Sequence, residues 1–132
     1  MKKTLFIALI ISTIAGCKKN PNAPVPYTPP PVAVTYAFSS NQNDIYTIKY
    51  VDSDATVSTV IINGNNWSKS VNIAADKAHK LTFYVESSNK SFDGLGNLSI
   101  AIKGQPTAST PLISNSSTYG MRGQIIYYLE SN

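Results

Sequence analysis

Residues 44–52 read Asp-Ile-Tyr-Thr-Ile-Lys-Tyr-Val-Asp, with Tyr46, Ile48 and Tyr50 two apart and Thr47 and Lys49 between them. A period of two is the mark of a strand with one face in the core. The same alternation spreads in both directions. Upstream, Val34–Ser39 (VTYAFS) is a strand candidate. Downstream, Thr56–Asn63 (TVSTVIIN) is another, and it runs into Asn63-Gly64, a dipeptide favoured in type I′ hairpin turns. Trp67–Ile73 (WSKSVNI) follows that predicted turn. His79–Ser87 sets Leu81, Phe83 and Val85 against Lys80, Thr82, Tyr84 and Glu86. Leu98, Ile100 and Ile102 alternate with Ser99, Ala101 and Lys103, and Tyr119–Leu129 puts Ile125, Tyr127 and Leu129 on one face. No stretch between these runs has helical periodicity, and residues 74–78 read as a loop. About seven strands in roughly 100 residues predict an all-β chain, an antiparallel β-sandwich of immunoglobulin-like type. Six-stranded and barrel arrangements satisfy the same alternation.

The first quarter of the chain, residues 1–33, has a different composition. Lys2 and Lys3 precede Leu5–Ala15, which is apolar except for Ser12 and Thr13. That segment is too short to span a bilayer, and its size and basic flank fit a secretory signal. Ile14-Ala15-Gly16-Cys17 resembles the lipobox of bacterial lipoproteins: an aliphatic residue, two small residues and the cysteine to be modified. The resemblance implies a signal peptide over 1–16, acylation of Cys17, and a membrane as the first partner. Several acyl chains hold a protein stably where one does not. Residues 17–33 then form a lipidated, Pro-rich tether, with six of the eight prolines between Pro21 and Pro31. Proline fixes φ and removes a donor, so polyproline II is expected, up to ~45 Å over fifteen residues. The folded domain is expected over 34–132. Lys18 after the cysteine is not the Asp of inner-membrane retention, and no acidic residue occurs before Asp44. By analogy these two features favour the outer membrane, facing the periplasm, with the cell surface as the alternative.

Charge and cysteine count exclude several classes. The chain has 132 residues, a net charge of +4, one cysteine and one histidine. Neither a disulfide framework nor a Cys₂His₂ or Cys₄ zinc site can be built from these. Lys2, Lys3, Lys18 and Lys19 lie in the signal and tether, and the remaining seven bases match seven acids. The domain is therefore neutral, and nucleic acid is not an expected partner.

Short motifs also resemble one family. Trp67-Ser68-Lys69-Ser70-Val71 resembles the WSK-x-V element of MmpS-like transport accessory domains, and Ile48-Lys49-Tyr50 lies upstream of it as in that family. Leu98–Gly104, a Ser/Thr-rich stretch and terminal Tyr127-Tyr128-Leu129 are similar to its last two strands. The resemblance spans about residues 34–130. It implies a small extracytoplasmic β-sandwich that assists a membrane exporter. Family members typically carry a transmembrane helix where this chain has a lipobox.

No catalytic, cofactor or metal site is expected. His79 is the only histidine and reads as a solvated edge residue. The serines form no Gly-x-Ser-x-Gly elbow. Asp52 and Asp54 suit a turn whose aspartates cap their own backbone, with weak calcium binding as the alternative. Asp93-Gly94-Leu95-Gly96-Asn97 lacks the ending of a phosphate loop and reads as a turn. Tyr46, Tyr50 and Tyr127 are core by alternation. Tyr84, Ile126 and Tyr128 fall on the opposite face and form the candidate partner patch if their strands are neighbours. The reading that follows is a non-catalytic, lipid-anchored accessory module of the envelope. A structural or surface-interaction lipoprotein and a small apolar ligand carrier, with a deep cavity between its sheets, are the alternatives.

Overall fold

A computed structural model describes residues 24–89, 94–103, 105–113 and 120–131. The signal segment, Cys17 and the first part of the tether lie outside them. Residues 24–31 of the tether have no regular structure, and Val25 and Tyr27 are 90% and 83% exposed.

Every element among the described residues is a strand: β1 (Val32–Val51), β2 (Val57–Ile73), β3 (His79–Ser87), β4 (Gly96–Ile102), β5 (Gln105–Pro111) and β6 (Arg122–Leu129). All their pairings are antiparallel. The path across the sheet is β5-β4-β1-β3-β6, with β2 on the other edge of β1. β1 is long enough to serve two neighbours. Its first half pairs with β4, from Val34 opposite Ile102 to Ser40 opposite Gly96. Its second half pairs with β3, from Tyr46 opposite Ser87 to Tyr50 opposite Phe83. At the far side, Ile113 and Arg122 exchange both backbone hydrogen bonds, at 2.9 and 3.1 Å. The sheet thus comes close to closing on itself.

The change of neighbour happens at a bulge. Ser39 pairs with Asn66 and Asp44 with Gly64, so residues 40–43 of β1 stand against Asn65 alone. Extra residues on one strand bend the ladder. Local bonds brace the bend. The Tyr46 hydroxyl donates to Ser40 Oγ (3.0 Å) and to the Gln42 carbonyl (3.1 Å). The Asn41 N–H donates to the Leu95 carbonyl (2.9 Å), and the Leu95 N–H to Asn41 Oδ1 (2.8 Å).

The bend brings the two halves of β1 to opposite sides of one core. Val34, Tyr36 and Phe38 come from the first half and Tyr46, Ile48 and Tyr50 from the second, joined by Leu81, Phe83, Val85, Leu98 and Ile100. Tyr36 meets Phe83 at 5.3 Å between ring centroids, Phe38 meets Tyr46 at 4.6 Å, and Tyr50 meets Trp67 at 5.2 Å. Each such side chain contributes roughly 1.5–3 kcal/mol by leaving water.

Four expectations need correction. The runs at 34–39 and 44–52 are one bulged strand, and those at 56–63 and 67–73 are also one. Asn63-Gly64 is not a turn, because the hairpin already closes at residues 52–56. There Asp54 Oδ1 accepts from the Thr56 N–H (3.0 Å) and hydroxyl (2.7 Å), Asp52 Oδ1 accepts from the Ser53 N–H (2.7 Å), and Ala55 takes φ 63°. β5 was not among the expected strands, and its run carries Pro106 and Pro111. Among the described residues it pairs with β4 alone along its length and ends the strand path, an edge position where proline is tolerated. His79 is not a solvated edge residue. It is 8% exposed, because it shares the inward parity of Leu81, Phe83 and Val85. Tyr119, where the last run was expected to begin, lies outside the described residues.

Candidate functional site

The register of β3 against β6 decides whether the partner patch exists. Lys80 stands opposite Tyr128, Thr82 opposite Ile126 and Tyr84 opposite Gln124. Residues opposite one another in an antiparallel pair share a face. Tyr84, Ile126 and Tyr128 therefore lie on one outer surface, with Ile126 47% and Tyr128 67% exposed. They are outward because Leu81, Phe83 and Val85 on β3, and Ile125 and Leu129 on β6, take the inward parity. Tyr127, expected in the core, is partly buried and packs against it.

Tyr84 differs from the other two. It is half-buried, and its hydroxyl donates to Glu86 Oε2 at 2.7 Å. Lys49 Nζ sits 5.9 Å from its ring centroid. Burial, the hydrogen bond to Glu86 and the Glu86 charge push its phenol up to about 12, against a smaller opposing pull from Arg122. Tyr84 is thus the polar, fixed border of the patch, and Ile126 and Tyr128 supply its apolar surface.

The sheet carries a second apolar flank that the alternation did not reveal. Thr47 pairs with Glu86 on one side and Ile61 on the other, and Lys49 with Tyr84 and Thr59. Ile61 is 70% exposed and Val57 60%. A polar strip of Lys49, Tyr84 and Glu86 separates this flank from Ile126 and Tyr128. In the sequence Val60-Ile61-Ile62 is one apolar run, and only the pairing of Val60 with Ile48 fixes which members point in.

Hollows also mark the surface of the described residues. A cleft of about 410 Å³ lies by the end of β5 and the start of β6, lined by Tyr84, Thr110, Pro111, Ile113, Arg122, Gly123 and Gln124. Another, of about 260 Å³, lies by the bulge between Ser40, Asn41 and Leu95. The space between the two halves of the sheet is occupied by Tyr36, Tyr46, Phe83, Ile48 and Leu81, all fully buried.

The acidic residues serve the backbone. Asp52 and Asp54 cap the hairpin turn, and those hydrogen bonds hold both carboxyls below their ordinary range. Among the described residues, no three His, Cys, Asp or Glu side chains gather into a metal-binding group. His79 and Tyr36 each bury a polar atom, Nε2 and the hydroxyl, with no hydrogen-bond partner among the described residues. Cys17, the expected lipidation residue, lies outside the described residues. Comparison with protein-family models gives no match, and a search of curated proteins gives none either.

Proposed function

We propose that this chain is a lipid-anchored, non-catalytic binding module of the bacterial envelope. In this reading the signal peptide is removed before Cys17, Cys17 is acylated, and the Pro-rich segment holds the domain off the outer membrane on its periplasmic side. The domain is read as a two-layer sandwich of the MmpS-like kind, with the bent β1–β2 hairpin contributing to both layers. Its work is to capture another envelope protein on the outer face of β3 and β6. The observation that carries the capture role is the adjacent exposure of Ile126 and Tyr128 beside Tyr84. Exposed large side chains at adjoining sheet positions are the usual material of an interface anchor.

Two experiments test this reading. Cells fed a fatty-acid analogue should label the wild type and not Cys17→Ser; retained label in the variant removes the anchor. In-cell cross-linking should recover one partner repeatedly, and Tyr128→Ala should weaken recovery about tenfold or more while the fold persists. Equal recovery by variant and wild type removes the face. Release of the domain by protease from intact cells would move it to the cell surface.

A further inference from the structure

The cleft beside the Ile113–Arg122 bridge gathers hydrogen-bond donors from strands that are distant in sequence. Arg122 and Gln124 lie two apart on β6, and Gln124 stands opposite Tyr84, so the three share the outer face. Thr110 and Pro111 come from the end of β5, with Ile113 just beyond. The paired backbone bonds between Ile113 and Arg122 hold these segments together. Tyr84 is fixed as well, since its hydroxyl donates to Glu86 at 2.7 Å. Arg122, Gln124 and Thr110 are the other donor side chains of the lining. Among the described residues, no Asp or Glu lines it.

We propose that this cleft binds a carboxylate attached to an apolar group. Arg122 takes the carboxylate, Gln124 and Thr110 add hydrogen bonds, and Pro111 and Ile113 pack on the apolar part. A guanidinium carries five N–H donors in a planar fork that matches the two oxygens of a carboxylate. Its contact with the Tyr84 hydroxyl therefore does not exhaust it. The local charge points the same way. The nearest charges in the ladder are Lys49, paired with Tyr84, and Glu86, opposite Arg122. Two bases against one acid leave a single positive charge, which suits a carboxylate. A phosphate group carries nearly two negative charges at neutral pH and would set one of them against Glu86. An ammonium ligand would meet donors only. The volume of about 410 Å³ lies within the ~300–1,000 Å³ of small-ligand sites, and it admits a small acid or the last residue of a peptide chain. This inference does not rest on partner capture by Ile126 and Tyr128, neither of which lines the cleft.

Backbone amide NMR of the full chain in detergent, titrated with N-acetyl-leucine and with its uncharged amide, tests the site. The acid should shift the Thr110, Arg122 and Gln124 amides saturably at millimolar concentration or below, and the amide should bind about tenfold or more weakly. Both arms use the unaltered chain, so they decide without any variant. Arg122→Gln keeps the backbone bridge to Ile113 and should weaken the acid about tenfold or more. Arg122→Lys should recover only part of that loss, because an ammonium lacks the fork. N-acetyl-trialanyl-leucine with a free carboxyl end separates the two sources of ligand. Tighter binding than N-acetyl-leucine assigns the site to a chain terminus, weaker binding assigns it to a small acid, and both results keep the carboxylate. Equal affinity for acid and amide overturns the proposal, as does equal affinity of wild type and Arg122→Gln, or no saturation by about 10 mM. Inorganic phosphate binding as tightly as the acid overturns it in favour of a general anion site. Shifts confined to Ile126 and Tyr128 overturn it in favour of the outer patch.

Discussion

The Ser87 hydroxyl donates to Asp44 Oδ2 at 2.7 Å, fastening the end of β3 to β1 at the point where the bulge ends. Asp44 accepts three further bonds. Asn89 N–H reaches Oδ2 at 3.2 Å, and Ile45 N–H and Ser88 Oγ reach Oδ1 at 2.7 and 3.3 Å. One carboxylate thus satisfies two strands and the loop after β3. Replacing it by Ala strands several of these donors. Asp44→Ala should lower stability by about 1–2 kcal/mol, read as a lower urea midpoint with an unchanged slope.

The same carboxylate makes stability depend on acid. Partial burial raises its pKa, but hydrogen bonds from Ser87, Ile45, Asn89 and Ser88 outweigh that and hold it below the usual carboxylate value of 3.8. A depressed folded pKa contributes stability that is complete above the unfolded value and is lost as pH falls through the folded one. Thermal unfolding followed from pH 6 down to pH 2 should show this loss below about pH 4. The slope in that window should be shallower in Asp44→Ala.

Tyr36 predicts the opposite edge of the pH range. Its ring is fully buried and its hydroxyl points toward the Val51 backbone without reaching hydrogen-bond geometry. Burial, with a smaller push from the Asp52 charge, holds the phenol far above its ordinary range. A raised folded pKa gives stability that is full below the unfolded value and is lost as pH rises above it. Alkaline unfolding should therefore begin above about pH 10. Tyr36→Phe removes both the unpaired hydroxyl and this titration. It should be more stable than wild type by about 1 kcal/mol at neutral pH, and by more at pH 11.

His79 is a similar case, with no partner for Nε2 among the described residues. It continues the inward row of Leu81, Phe83 and Val85, and pairs with Leu129. His79→Leu should fold and be more stable by about 1 kcal/mol, because an apolar side chain of similar size needs no hydrogen bond there. A loss of stability would mean that the imidazole is bonded in solution.

Gly120 lies against the end of β3 and the residues after it. A Cβ there would lie 2.5 Å from the Ser87 carbonyl oxygen and 2.7 Å from that of Asn89. Both are backbone atoms and cannot turn aside. Gly120→Ala should cost about 1–3 kcal/mol in chemical denaturation. Gly64, half-buried but with nothing within 4 Å of its Cβ position, is the control, and Gly64→Ala should be nearly neutral.

Alternation by itself determined the all-β class and nearly all the inward-facing residues. Tyr46, Ile48 and Tyr50, then Leu81, Phe83 and Val85, declare their face because parity is a local property of an extended chain. It placed Tyr84, Ile126 and Tyr128 outward for the same reason, and the parity of His79 was equally readable from Leu81. Composition alone showed that the basic charge belongs to the segments before the domain. Local sequence does not contain register. Whether Asn63-Gly64 turns or continues depends on what stands opposite, and β1 supplies a bulge there while Asp52 and Asp54 close the hairpin earlier. Whether a proline-bearing run such as 105–111 can be a strand depends on its having a free edge. Pairing of β3 with β6, which joins Tyr84 to Ile126 on one surface, is likewise a relation between distant segments. Such contacts are chosen by the closure of one shared core, and only the tertiary structure decides them.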